Sequence, residues 1–484
     1  MPFQAKRART TLLFEIAAAL VLSFAGAARG QAPATDDAAA AEPAARPAPN
    51  DGPLGLAVPD GVKPSPATVE LAEYDGQVVR VLAELDDQRA IKLPTGQITI
   101  VPADDTAETT QPFRAADRVA MIASLREDGL TEAKIEPAGY YLFAYDCSEA
   151  YYLHTRSILE SMLRGVVKQL GEWGLKPQRP ETPLVVVIFP SRAAFDAYAK
   201  MPEGVAAYYN GVTNRVILYE DDRLFESAPE FALKQGAYVV AHEAIHQLLH
   251  NTGIQRRLSA WPMWISEGLP EYFCPLKVHS SLAKTDGDEL PVRTVRWTEA
   301  GMVNDLRMHD LLRTRGGDGR VIQTVVGAPS LSAHGYSLAW GLTHYLAERK
   351  PEEFAAYLAD LRQQPALSML DERPRGPDPL FVKHFGEKWP VVERSVQKHL
   401  TSKRMQDAYR DPYVNQTHYV VSVTFKKGRT FYTQASVRLS PAAAREWTSQ
   451  KRELLDAEGI NAHILTRECR TRREAEYHLR KIVN

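Results

Sequence analysis

The stretch "VVAHEAIHQLLHNTG", Val239 to Gly253, constrains this chain more than any other part of its 484 residues. Three histidines recur there at four-residue spacing, His242, His246 and His250, in a run otherwise rich in Val, Ala, Ile and Leu. The pattern predicts a helix with Ser227 as its cap, Pro229 in its first turn and Gly253 just past its end. Residues four apart on a helix are offset by about 40° and roughly 6 Å along the axis. His242 and His246 therefore project from one face and reach a single ion, while Glu243 stands beside them without sharing the coordination. This is the His-Glu-x-x-His pattern, two imidazole ligands with a carboxylate next to the metal. His250 is turned about 80° from His242 and lies roughly 12 Å further along. It is read as a surface or supporting residue, not a ligand.

A metal site that keeps one position open for chemistry takes three protein ligands. The next acidic candidates lie in "WPMWISEGLPEYF", Trp261 to Phe273, where Glu267 falls 21 positions after His246 and Glu271 one helical turn later. That separation leaves room for a turn and a second helix laid against the first. With Trp264, Glu267 and Gly268 in a Trp-x-x-Glu-Gly context, the chain resembles the gluzincin-type, peptidase-MA-like HExxH metallopeptidases, above all their uncharacterised exported bacterial members. The likeness covers residues 140–400, about half the chain, and extends to "HGYSLAWGLTHYL", His334 to Leu346. It implies a zincin-like fold, a zinc ion held by His242, His246 and Glu267, and Glu271 orienting the first histidine. Imidazole ligands commonly donate their second N–H to a carboxylate, which gives that last role a physical sense.

By the same resemblance, the chemistry is peptide-bond hydrolysis by an activated water, with Glu243 as general base and later proton donor to the leaving amine. Such sites add a Tyr or His donor for the developing oxyanion. The resemblance puts Tyr336 there, 69 positions past Glu267, with His334 in reserve. The family's Tyr-x-Lys-Gly pattern is altered, since Leu338 and Ala339 stand in place of Lys-Gly. The Gly-x-Met-Glu-Asn segment by which aminopeptidases hold a free N-terminus is missing upstream of the helix. "GMVND" at 301–305 lies downstream and lacks the Glu. An endopeptidase or an unusual substrate is therefore expected, and not a typical aminopeptidase. Two other readings compete. One is a non-catalytic envelope-binding protein with a structural zinc, against which the intact Glu243 counts. The other is a zinc amidase acting on cell-wall crosslinks. No nucleophile-elbow motif supports serine chemistry.

The remaining chain is organised around this centre. Lys6, Arg7 and Arg9, the apolar "TLLFEIAAALVLSFAGA" and small residues at Ala25, Ala27 and Gly30 make residues 1–30 an export signal. Glu15 inside the apolar run favours cleavage, with a mature N-terminus between Ala28 and Ala32, over the alternative of an uncleaved membrane anchor. The product is expected in the periplasm or outside the cell. Residues 31–66 read as an Ala/Pro-rich disordered linker, 67–137 as a small β module, 138–402 as the zincin-like domain and 413–484 as a small α/β module, an α+β chain overall. Within the central domain "YYLFAYDC", "PLVVVIFP" and "GVTNRVILYE" read as strands, the last after an Asn210-Gly211 turn. Helices are expected over about Ser148–Gly171 and "SRAAFDAYAK", the latter capped by Ser191. Cys147, Cys274 and Cys469 are too few for a disulfide scaffold, with one bridge conceivable. A net charge of −2 gives no reason to expect a nucleic-acid partner. Residues 401–484 hold 16 Lys+Arg against 9 Asp+Glu, a face suited to an anionic envelope surface or, more simply, to water.

Overall fold

The computed structural model describes residues 56, 63–199, 201, 205–220, 229–285, 288–313, 320–370, 378–413, 417–428 and 430–483. The export signal, nearly all of the linker and the Ser227 cap lie outside these residues. The fold is α+β, with a small sheet module before and after a central α+β domain.

The central domain is built on five strands in the order Ala207–Asn210, Arg215–Tyr219, Leu184–Phe189, Tyr141–Tyr145 and Lys134–Ala138. The middle three run parallel, and each outer strand is antiparallel to its neighbour. The middle strands are almost continuously apolar because helices cover both faces. Alternation sends Tyr141, Phe143, Tyr145, Val186 and Ile188 into the core shared with helices Glu149–Glu172 and Pro229–Asn251. Leu142, Ala144, Val185 and Val187 face the other way, onto Phe195 and helix Arg118–Glu127. Ser148 Oγ accepts from Tyr151 N–H and Ser191 Oγ from Ala194 N–H, so each hydroxyl caps the helix that follows it.

The N-terminal module differs from its expected limits at both ends. Its last strand is Ala107–Glu108. Helix Arg118–Glu127 instead buries Met121 and Leu125 in the central domain, whose sheet also takes in Lys134–Ala138. Ser65–Pro66, expected as linker, pairs with Ala83 and Glu84. The Asn210-Gly211 pair does not make a two-residue turn either. Asn210 pairs with Arg215, and its Oδ1 accepts the N–H groups of Val212 and Thr213 at 2.8 and 3.0 Å. This side-chain turn lengthens the loop and leaves the positive φ, 62°, to Asn214.

In the C-terminal module, His418–Lys427 lies between Thr430–Arg438 and Ala462–Cys469, antiparallel to both, with helices Pro441–Ala457 and Arg472–Val483. All three cysteines are free. Among the described residues no helix is long and apolar enough to cross a membrane.

Candidate metal centre

Helix Pro229–Asn251 is buried on every side from Ala237 to Leu249. An all-round apolar helix has no amphipathic face to fix its rotation. Gln247 supplies the missing constraint, since its Nε2 donates to Val185 O at 2.9 Å and Asn214 O at 3.0 Å, tying the helix to strand Leu184–Phe189 and to the turn that leads into Arg215–Tyr219. His242 and His246 then point away from the strands toward helix Met263–Phe273.

That second helix lies against helix Ala333–Arg349 at a distance only glycine permits. A Cβ on Gly268 would stand 2.2 Å from Thr343 Oγ1 and 3.0 Å from Ala339 O. Gly268→Ala is therefore expected to destabilise the protein by about 1–3 kcal/mol through overpacking and to shift the adjacent Glu267. Thermal unfolding and metal content measure both effects. Adding Thr343→Ala should recover part of the loss, because it removes the nearest clashing atom. An unchanged melting temperature in Gly268→Ala would show that the two helices have room to separate.

Three atoms able to ligate a metal converge between the first two helices. His242 Nε2 lies 3.1 Å from Glu267 Oε2 and 3.2 Å from His246 Nε2, and His246 Nε2 lies 3.5 Å from Glu267 Oε2. All three residues are buried, His246 the least so at 9% exposure against 2% and 4%. Behind His242, Nδ1 is 3.3 Å from Glu271 Oε1, a contact short of an aligned hydrogen bond. Glu271 accepts from Arg307 through Nε at 2.9 Å and Nη2 at 2.5 Å, and from Asn304 Nδ2 at 2.8 Å. A carboxylate facing Nδ1 favours the tautomer protonated there, which turns the Nε2 lone pair toward His246 and Glu267.

The charges follow from these contacts. Burial opposes ionisation of Glu267, but His246 and His242 hold its carboxyl well below the usual range. Burial likewise opposes ionisation of Glu271, and Arg307 brings it down to about 2. Glu243 is the exception. Burial pushes its carboxyl up to about 7, with His242 and His246 pulling the other way. Its Oε2 accepts the Tyr209 backbone N–H at 2.7 Å, while the buried Oε1 has no hydrogen-bond partner.

Two further groupings of possible ligands occur among the described residues. His242 with Glu271 and Cys274 is disfavoured, because Arg307 and Asn304 occupy Glu271 and burial pushes the Cys274 thiol up to about 11. Cys469 with Glu474 and His478 has the Arg467 guanidinium 3.2 Å from the His478 ring nitrogens, and Glu474 accepts the Arg470 N–H. A cation there would meet a positive neighbour.

Tyr336 comes to the centre, and the His334 side chain lies with Asp310. The Tyr336 ring lies 6.5 Å from that of His242 and under the Arg307 guanidinium, and its buried Oη has no hydrogen-bond partner. Burial, followed by the charge of Glu267, raises its pKa well above the ordinary value, so it remains a donor. His334 Nδ1 instead bonds Asp310 Oδ2 at 2.7 Å, partly exposed. His250 stacks on Tyr209 and stands 3.2 Å from Gln255 O, and burial pushes its pKa down to about 3, so it is a neutral packing residue. Asn304, Arg307 and the Tyr209 amide escaped the sequence reading. Asn304 and Arg307 follow Glu271 by 33 and 36 positions at no motif spacing, and a backbone amide leaves no residue signature.

A family model described as a protein of unknown function (DUF1570) matches residues 237–368. That span runs from the middle of the histidine helix to beyond helix Ala333–Arg349 and contains every side chain placed at the centre. No curated protein matches the chain.

Proposed function

We propose that this chain is an exported, zinc-dependent metallopeptidase of the gluzincin type, with His242, His246 and Glu267 as metal ligands and Glu243 as general base. The observation that carries the reading is the donor triangle of 3.1, 3.2 and 3.5 Å beside a buried carboxylate with one free oxygen. Tetrahedral ligands about 2.0–2.2 Å from zinc stand roughly 3.3–3.6 Å apart, and two imidazoles with one carboxylate are a donor set zinc accepts in catalytic sites. Structural zinc sites are usually closed by four protein ligands. Here three converge among the described residues, which favours hydrolysis over a purely structural metal.

Zinc held there would supply a Lewis acid that polarises a carbonyl and acidifies water. Glu243 Oε1 takes a proton from the attacking water while Oε2 stays anchored on Tyr209 N–H. The carboxyl then returns that proton to the leaving amine. Tyr336 Oη donates to the carbonyl oxygen as negative charge gathers on it. Glu271, held by Arg307 and Asn304, keeps the His242 ring turned toward the other ligands.

Metal analysis of the purified mature protein, paired with digestion of a broad peptide library, tests the reading. One zinc per chain and cleavage of peptides are expected, and Glu267→Ala should abolish stoichiometric zinc. Full zinc occupancy in that variant would reject Glu267 as a ligand. Cleavage of wall fragments with no peptide cut would turn the proposal to an amidase. Zinc without any hydrolysis would favour the binding protein.

A further inference from the structure

We infer that Arg257 is a positioning residue for this reaction, holding the hairpin Ala207–Tyr219 so that the Tyr209 amide keeps Glu243 in place, and that the N-terminal module is part of the same clamp. The inference rests on the hydrolytic reading above.

Arg257 lies in the loop that joins the histidine helix to the glutamate helix. It is 9% exposed, and its guanidinium donates to Gly211 O at 2.6 Å, Val212 O at 3.0 Å and Gly96 O at 3.2 Å. Two of these carbonyls belong to the tip of the hairpin and the third to the N-terminal module. Burying a guanidinium among carbonyls alone is costly, and an apolar residue of similar size fills such a space more cheaply. What an apolar residue lacks is a fork that binds several carbonyls at once.

The N-terminal module grips the same tip. Ile98 N–H donates to Val212 O at 2.9 Å, and Leu56, Ile98, Val212, Leu258 and Leu367 form one apolar cluster. From the tip to the catalytic carboxylate the path is short. Tyr209 is one residue before Asn210, where the loop begins, and among the described residues its N–H is the hydrogen-bond donor to Glu243 Oε2. With Oε2 held there, the orphaned Oε1 faces one direction. A hairpin free to slide would let the carboxylate rotate.

Hydrogen exchange at the Tyr209 amide in the full-length, zinc-loaded protein tests this without reference to activity. Glu243→Ala removes the acceptor and should speed exchange at Tyr209 about tenfold, the scale of one lost hydrogen bond. Arg257→Met should do the same with Glu243 intact, and the double variant should add little. Amides of 242–249 and the zinc content should not change. If Arg257→Met loses protection everywhere, Arg257→Lys, which keeps the charge and stem but not the fork, becomes the deciding variant. On a peptide taken from the library, Arg257→Lys should lower kcat about tenfold with KM unmoved, and this loss should vanish in a Glu243→Gln background. Wild-type protection at Tyr209 in the Arg257 variants overturns the inference. So does lost protection with an unchanged kcat. If the parent hydrolyses neither peptides nor wall fragments, the hydrolytic reading fails, and the exchange data still decide whether Arg257 and Glu243 are coupled.

Discussion

Replacing Glu243 by Gln is expected to leave zinc bound and the fold intact while hydrolysis falls by about 10²-fold or more. The two side chains have the same shape, and the Gln carbonyl can accept the Tyr209 N–H that Oε2 accepts now at 2.7 Å. The amide nitrogen then occupies the position of the orphaned Oε1. An acceptor becomes a donor that cannot take a proton from water. Steady-state rates on a library-derived peptide, together with metal content, separate this effect from loss of zinc. A variant as fast as the parent would remove Glu243 from the mechanism.

Tyr336→Phe is expected to lower turnover by about 10²–10³, the usual cost of one oxyanion donor, with zinc content and KM held. The hydroxyl makes no hydrogen bond in the resting protein, so its removal leaves no partner unsatisfied and should not lower the melting temperature. This distinguishes the catalytic role from simple packing. A Tyr336 that only fills space beside His242 and Arg307 would give a Phe variant with parental rates. His334→Ala is expected to stay near the parent, because that ring is engaged with Asp310. A large loss in His334→Ala with a parental Tyr336→Phe would transfer the role to the histidine.

Much of the centre is legible in the sequence. Helical geometry converts a spacing of four into a shared face, so His242 and His246 had to approach each other once their helix formed. Glu267, Glu271 and Tyr336 came from resemblance, and Gly268 with them. The structure supplies the reason for the glycine, which is the approach of Thr343 and Ala339. The apolar runs at 141–145 and 184–189 announced buried strands because a sheet covered on both faces needs side chains of that kind at every position.

Other features were decided only by how the elements stack. Pro137 read as the end of a module, yet its strand is hydrogen-bonded to Tyr141–Tyr145 in the central sheet. The Asn210-Gly211 pair signals a turn before a strand, but its length is set by the Asn210 side chain, which takes the next two amides. Arg307 and Asn304 reach Glu271, and Arg257 reaches Gly96, across 33 to 161 positions of chain. By itself the sequence determined which residues share a helix face or a strand face, because those relations repeat with the period of the backbone. Only the tertiary structure decided which carboxylate is paired, which is left with a free oxygen, and which loop holds it. Those outcomes depend on contacts between distant segments, for which the chain carries no period.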